Sequence, residues 1–559
     1  MKNLFTLAFL LNSANLFAQV IDNQRGFDNR VDYETLKNIG PWDDRNYQLT
    51  LEDLYWLADD EENIRNLVPA FYRVLFHKEF PNSQNNHFPY PRSLYNRFII
   101  RFGGYLIENE LYESARWDEN NKRYAISMDR AKSPGKSIRQ QIKALSSNTL
   151  VFAGAESAVS VSPINADIVV AGLNAAFGGQ EMLYSNDGGG TWTSAPDLTG
   201  SECCDPTMAW KTDGSFVYNA TLGGDNVWFY RSDDNGQTWD SLATETPGND
   251  RRVLVGTGGS LDDKEYMHVD NFPTSPFKDN IYILWDNTGV INFARSTDDG
   301  NSFSIQAFNS DPGGIGTDIV TGADGTVYNF WPSPGGSPQI RMNKSTNGGV
   351  SFTPSVKVAD TLGSFDFPIP SMDSRNVFIY NSADMDLTGG TYNNRLYVSW
   401  TDNTGADSNT PASNHARIQV AYSDNGGNSW TVTTPHETND AATVDRWHQW
   451  LKVDKNGTVH VTFYDTRQFA DRLGVDTYHS FSTDGAATWS APQRISDVSS
   501  NASSGFQFGD YNGLDFGKTA NSGIAIFSDN RTEGGGSNDM DVYVAPVSLI
   551  DLIFENGFE

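Results

Sequence analysis

Basic residues are scarce in this chain. Lys and Arg number 40 against 70 Asp and Glu over 559 residues, a formal net charge of −30. Phosphate backbones need clustered cations, so nucleic acid is excluded as a general partner. Cysteine is nearly absent as well: two residues make neither a disulfide scaffold nor a multi-cysteine zinc site. No run of about 18 apolar residues occurs, so no transmembrane segment is expected. Aromatic residues, by contrast, make up 13 % of the chain, too many for a largely disordered protein.

Residues 1–18 read as a signal peptide. Lys2 gives the positive start, Leu4 to Leu11 a short apolar stretch, and Leu16-Phe17-Ala18 a small residue for cleavage. A secreted or cell-surface protein, monomeric, is the expectation. Residues 549–559, LIDLIFENGFE, form a short tail. It is similar to the Gly-Phe-acidic tails of some exported bacterial proteins, and a frayed terminus is the alternative.

One pattern recurs six times: Ser, any residue, Asp or Asn, small or polar residues, then Thr or Ser before an aromatic. The first copy is Ser185-Asn186-Asp187-Gly188-Gly189-Gly190-Thr191-Trp192. The others run from Ser232 to Trp239, Ser296 to Phe303, Ser345 to Phe352, Ser423 to Trp430 and Ser482 to Trp489. Their first residues are 47, 64, 49, 78 and 59 positions apart, a spacing that suits one four-stranded unit per copy. The residue types suit a hairpin loop. Asp or Asn bonds backbone N–H groups two residues on, Gly supplies a positive φ, and the aromatic anchors the turn. Alternating strands flank the copies, such as Val227 to Tyr230 and Asn280 to Trp285. Asn347, Asn425 and Ala486 depart from the pattern at single positions.

On these six copies the region 148–548 resembles the sialidase-like Asp-box, or bacterial neuraminidase repeat, β-propeller superfamily. The resemblance implies an all-β propeller in which the boxes are structural turns away from the working face. Six boxes imply six blades. Strand material in 505–547 carries no box and lacks a fourth strand, which Thr149 to Ala153 would supply. That closure favours seven blades, with six plus an additional sheet as the alternative. Ahead of the propeller, residues 19–147 read as a mainly helical segment and linker. Its helices are expected from Thr50 to Ala58, from Pro69 through Leu75, and from Ser93 to Arg101.

Propeller chemistry is expected around the central axis. The resemblance implies an arginine clamp for a carboxylated sugar, a Tyr–Glu nucleophile pair and an Asp acid/base. No Phe-Arg-Ile-Pro-like motif carries a first clamp arginine; Phe367-Pro368-Ile369-Pro370 lacks it and lies mid-chain. The catalytic candidates are Tyr511, which opens the last blade, Glu265 (with Glu202) as its activator, and Asp445. Arg446, His448, Arg467 and Arg531 are the substrate-binding candidates. Asp286, Asp402, Asp465 and Asp529 recur at second-strand ends and read as structural caps.

No cofactor is required. Asp263, Glu265 and Asp270, with Asp262 and His268 nearby, would suit Ca²⁺, or form a solvated acidic loop. The adjacent Cys203 and Cys204 form a vicinal disulfide or remain two thiols. The function implied is a secreted, glycan-directed propeller, a glycoside hydrolase of the exo-sialidase type if catalytic, acting on an extracellular glycan or glycoprotein. A non-catalytic glycan- or protein-binding propeller is the alternative.

Overall fold

The structure is a computed structural model. It describes residues 148–548 apart from 177–178, 199–201, 224–225, 240–252, 256–261, 309–312, 335–336, 373–374, 406, 502–507, 519–521 and 532–539. Five short strands between residues 100 and 125 are also described. The chain divides into two compact units, Met1–Lys143 with Leu549–Glu559, and Ala144–Ser548.

In the first unit, Ile100–Arg101, Gly104–Ile107 and Glu110–Tyr112 form a three-stranded antiparallel sheet. Arg116–Asp118 pairs with Arg123–Ala125. The helix expected from Ser93 to Arg101 is therefore corrected at its end, where Ile100 and Arg101 are extended and pair with Tyr105 and Gly104. β-branched and aromatic residues there favour pairing over a helical turn. The helices expected at 50–58 and 69–75, the signal peptide at 1–18 and the tail at 549–559 lie outside the described residues.

The second unit is all-β. Among its described residues the sole helical turn is 3₁₀, Pro411–Ser413, and no helix is long and apolar enough to cross a membrane. Five discrete antiparallel sheets follow one another along the chain, spanning 204–254, 262–308, 318–360, 381–433 and 446–501. We number these blades one to five. Asp366–Phe367 and Val377–Phe378 pair as a separate hairpin, and the other strands form one seven-stranded closing sheet.

Its centre is the 13-residue strand Thr149–Val161. Residues Thr149 to Ala153 pair with Asp541–Ser548, and Gly154 to Val161 pair with Val169–Ala175. The closing strand thus comes from the expected segment. The blade count is corrected: five separate blades stand where seven or six were expected, because one long strand fuses the first and last sets of strands.

The first strand of each sheet lies against the first strand of the next. The succession runs through Thr149–Val161, Cys204–Trp210, Asp262–Val269, Asp318–Thr321, Asn381–Met385, Arg446–Val453 and Gly513–Asp515, then back to the start. A closed ring of inner strands is the mark of a propeller. Apolar faces fill the wedges between neighbouring sheets. Tyr282, Leu284, Ile291 and Phe293 of blade two meet Ile319, Val327 and Trp331 of blade three. Each such fully buried side chain contributes roughly 1.5–3 kcal/mol.

The six repeated turns share one hydrogen-bond pattern. The Ser hydroxyl donates to the Asp or Asn Oδ1 at 2.7–3.0 Å. The N–H four residues after the Ser donates back to that hydroxyl at 2.8–3.0 Å. The closing Thr or Ser N–H reaches the same Oδ1 at 2.8–3.0 Å. Asn347 and Asn425 keep the turn by donating their amide N–H to Ser351 and Ser429. Each turn also leans on the preceding sheet. A Cβ added to Gly300 of blade two would lie 2.0 Å from the Phe229 ring of blade one, at a φ of +82°, so only glycine fits.

Candidate functional site

Four inner strands carry one extra residue at equivalent places. Register shifts between Ala155 and Ala158, Cys204 and Thr207, Asp263 and Tyr266, and Trp447 and Trp450. The bulged residues Glu156, Asp205, Lys264 and His448 have φ of 53°, 59°, 42° and 50°. Left-handed backbone at a non-glycine residue costs about 1 kcal/mol or more and persists where the surroundings over-determine it. A bulge re-aims a side chain that strict alternation would send elsewhere. Here the bulges gather polar groups from distant parts of the chain at the hub.

Glu156 lies at its centre. It accepts a hydrogen bond from Asn174 Nδ2 at 2.5 Å and an ion-paired bond from the Arg375 guanidinium. Arg375 also pairs with Asp510 at 3.1 Å. It lies in the loop of the hairpin Asp366–Phe367/Val377–Phe378, two positions before Val377. Asp205 is positioned through its own N–H, which donates to Asn174 Oδ1 at 2.8 Å. Burial, then the charges of Asp205 and Asp510, push the Glu156 carboxyl well above the usual range against the pull of Arg375. A side-chain hydrogen bond with Asp205 acts in the same upward direction. Burial first and Asp205 second push Asp263 up to about 6. Burial also raises Asp510, opposed by Arg375.

Beside the carboxyls lies an aromatic group. Lys264 Nζ sits 3.3 Å from the Tyr511 ring centroid and 4.3 Å from that of Tyr266. Tyr266 packs 5.3 Å from Trp450 and 6.4 Å from Tyr511. Burial, then Asp205 and Glu156, raise the Tyr511 phenol well above its ordinary value, so it stays protonated. Burial and then Arg375 lower His448 to about 3, leaving it neutral. Seven atoms of these residues, Lys264 Nζ, both Glu265 oxygens, the Tyr266 and Tyr511 hydroxyls and both His448 ring nitrogens, are buried without a hydrogen-bond partner. Each unmatched buried polar group costs about 1–3 kcal/mol. Their concentration in one place marks groups kept for something other than folding.

Three sequence candidates thus meet here: Tyr511, Glu265 and His448. Tyr511 and Glu265 share the cluster without a hydrogen bond between them. Glu202 is held instead by the Tyr230 hydroxyl at 2.6 Å. The remaining candidates lie elsewhere: the substrate-binding candidates Arg446, Arg467 and Arg531 and the catalytic candidate Asp445 are held in ion pairs. Arg446 is fully buried, donating to Asp465 at 2.7 Å and to both Asp440 oxygens at 3.0 and 2.6 Å. Arg467 bonds Asp465 and Glu437. Arg531 bonds Asp529, Asp497 and Asn148. Asp445 accepts both 2.7 Å bonds of Arg472. These forks already hold partners within their own sheets or between neighbouring ones.

The Ca²⁺ set does not converge either. Asp262 accepts from Trp285 and Asn287, each at 2.7 Å. Asp270 accepts from Ser275 at 2.5 Å, and His268 bonds Thr321 at 2.8 Å. Asp263 lies near the start of the strand Asp262–Val269 and Asp270 just past its end, on the order of 20 Å apart, too far to share one cation with Glu265. Among the described residues no group of three His, Cys, Asp or Glu side chains is arranged to hold a metal. Cys203 and Cys204 are joined as a vicinal disulfide, with Asp205 next in the chain.

Sequence reasoning missed Glu156, Asp205, Lys264, Arg375 and Asp510. A polar pair interrupting an apolar inner strand, as in Gly154-Ala155-Glu156-Ser157-Ala158, was the available signal for the bulges.

A family profile described as "Domain of unknown function (DUF8300)" matches residues 32–116. No curated protein matches the chain. Among solved structures, it is similar to an α-L-arabinanase of Penicillium chrysogenum at 10 % identity, covering 63 % of this chain and 94 % of that one, with a TM-score of 0.39. It is similar to the BP39L lectin of Burkholderia pseudomallei at 11 % identity, covering 71 % and 96 %, with a TM-score of 0.41. It is also similar to the Hadza microbial sialidase Hz136 at 14 % identity, covering 69 % and 74 %, with a TM-score of 0.37.

Proposed function

We propose that this chain is an exported, glycan-directed propeller of the sialidase-like Asp-box type, and that its hub is a carboxyl-based glycoside hydrolase centre. One observation carries the reading: Glu156 lies beside Asp205 and is ion-paired with Arg375, in a hub where several buried polar atoms have no hydrogen-bond partner. Glycoside hydrolysis needs one carboxyl that holds a proton near neutral pH and a second that does not. Glu156 is the acid in this scheme: it protonates the leaving oxygen as the glycosidic bond breaks, while a water bonds the anomeric carbon and gives its proton to Asp205. Asp205 is the second carboxylate. Arg375 and Asp510 hold the pair in place. Export is supported by the N-terminal pattern of residues 1–18 and by the Cys203–Cys204 disulfide, which suits an oxidising compartment.

The test is turnover of the purified full chain on a panel of chromogenic glycosides, run beside a glycan array. Glu156→Gln is expected to lose about 10²-fold or more in kcat while still binding the same glycans. Full turnover by that variant would exclude Glu156 as the acid. The packing of Tyr266 against Trp450 and Tyr511 favours a second reading, a non-catalytic glycan binder. Array binding with no turnover on any glycoside selects it.

A further inference from the structure

We infer that the Cys203–Cys204 disulfide is a positioning element for the hub carboxyls, and that a dithiol reductant reaching it from solvent switches the hub off. This rests on the glycoside hydrolase reading above. The two cysteines are the chain's only pair, and they are joined to each other. Cys203 is exposed and Cys204 half-buried, so a thiolate can attack Cys203 Sγ without unfolding the sheet. Asp205, the next residue, is the left-handed residue of its bulge, at a φ of 59°. Of the four bulged hub residues it alone follows a disulfide.

The chain is pinned on both sides of the bond. Cys203 N–H donates to the Leu222 carbonyl at 3.0 Å, and the Cys204 carbonyl accepts from the Thr221 hydroxyl at 2.8 Å. Asp205 N–H then donates to Asn174 Oδ1 at 2.8 Å, and Nδ2 of the same amide donates to Glu156 at 2.5 Å. Two hydrogen bonds therefore link the peptide after the disulfide to the proposed acid. A bond between neighbouring cysteines closes a small ring around the peptide that joins them. It removes rotations that two thiols would keep, next to a residue that must hold a positive φ. Opening the ring restores that freedom and lets the Asp205 bulge relax, and the Asn174 amide with it. The opening is an exchange reaction. One thiolate of the dithiol bonds Cys203 Sγ as the Cys203–Cys204 bond breaks, and its electron pair leaves on Cys204 Sγ, which takes a proton. The second reductant thiolate bonds its own partner sulfur and releases Cys203 as a thiol. Two electrons pass to the protein, and the dithiol departs as a disulfide. A chain made in a reducing compartment would gain its aligned hub on oxidation after export.

The experiment compares the full chain oxidised, held reduced in dithiothreitol, and reoxidised, beside a variant carrying Cys203→Ser and Cys204→Ser. Amide exchange read by mass spectrometry is expected to be about tenfold faster at Asp205 in the reduced chain and in the variant than in the oxidised chain, with the repeated turns unchanged. On a glycoside that the oxidised chain turns over, reduction should lower kcat about tenfold or more and leave KM within about twofold. Glu156 is faced by Asp205, Asp510, Arg375 and the Tyr380 and Tyr511 phenols, and Asp205 helps to hold its carboxyl up. Releasing Asp205 should therefore move the alkaline limb of the kcat profile to lower pH. Reoxidation should restore the parent and leave the variant unchanged. Failure of dithiothreitol to reduce the folded chain, or an unchanged Asp205 amide, overturns the proposal. So does a faster amide with kcat and its alkaline limb unmoved. Should the oxidised chain turn over no glycoside, the hydrolase reading fails, and the exchange result alone decides whether the disulfide holds the Asp205 bulge.

Discussion

The outer turns and the hub treat polar side chains in opposite ways. In the turns every Ser, Asp or Asn and closing Thr or Ser oxygen is used within eight residues, and the same three bonds recur six times. At the hub, residues from strands far apart in sequence meet, and several buried polar atoms are left without a partner. A turn that satisfies itself locally is a building part and can be repeated. A cluster that cannot satisfy itself has a cost in stability and is maintained for another purpose. Repetition in sequence therefore pointed to structure, and the proposed site lies where bulges interrupt the inner strands.

That contrast can be broken most sharply at the fully paired end. Arg446→Ala removes the fully buried guanidinium that Asp465 and Asp440 share, leaving Asp465 to Arg467 alone, and is expected to destabilise by about 3 kcal/mol with glycan binding unchanged in the folded fraction. Chemical denaturation alongside the array would check both halves. A loss of binding without loss of stability would return Arg446 to the site. Gly300→Ala drives a Cβ into Phe229 at a positive φ, with an expected cost of about 3 kcal/mol, read as a lower melting temperature. If stability is untouched, the turns do not tie neighbouring sheets together.

The smallest effect has the opposite sign. Burial first, then Asp205, raise the Glu265 carboxyl well above its ordinary 4.5. A carboxyl raised by folding favours the folded state below its unfolded pKa, and that contribution is lost as pH climbs from about 4.5 through the folded value. Glu265→Gln removes the loss. It should match the parent in stability at pH 4 and exceed it at pH 8 by about 1 kcal/mol or more. Urea melts at the two pH values decide this, and an unchanged difference between them would show that Glu265 is not buried as a charge.

The parts legible in the sequence were those fixed by short-range chemistry. The six turns announced themselves because three hydrogen bonds link residues no more than four apart. The adjacency of Cys203 and Cys204 left a vicinal bond as one of two readings, and Thr149 to Ala153 stood out as a strand lacking a sheet. Tyr511, Glu265 and His448 were reached by asking which residues open a sheet near the axis. The rest was hidden for physical reasons. Glu156, Asp205 and Lys264 owe their aim to one extra residue in each strand, and no Gly marks those places. Arg375 meets Glu156 across 219 positions of chain. Arg446, Arg467 and Arg531 looked available because spacing alone does not show that Asp440, Asp465, Glu437 and Asp529 already occupy them. Extended residues at 100–101 defeated a helical pattern, since pairing with Tyr105 and Gly104 outweighs local preference.

The 13-residue strand Thr149–Val161 has a consequence for how the molecule is made. It leaves the ribosome early, and its first half has no backbone partner until Asp541–Ser548 emerges. Throughout translation the nascent chain carries an unpaired edge, the kind of surface that recruits chaperones and invites aggregation. A product cut short before Asp541 keeps that edge permanently. Quality control thus gains a simple criterion, since a shut ring certifies that the last strand was delivered.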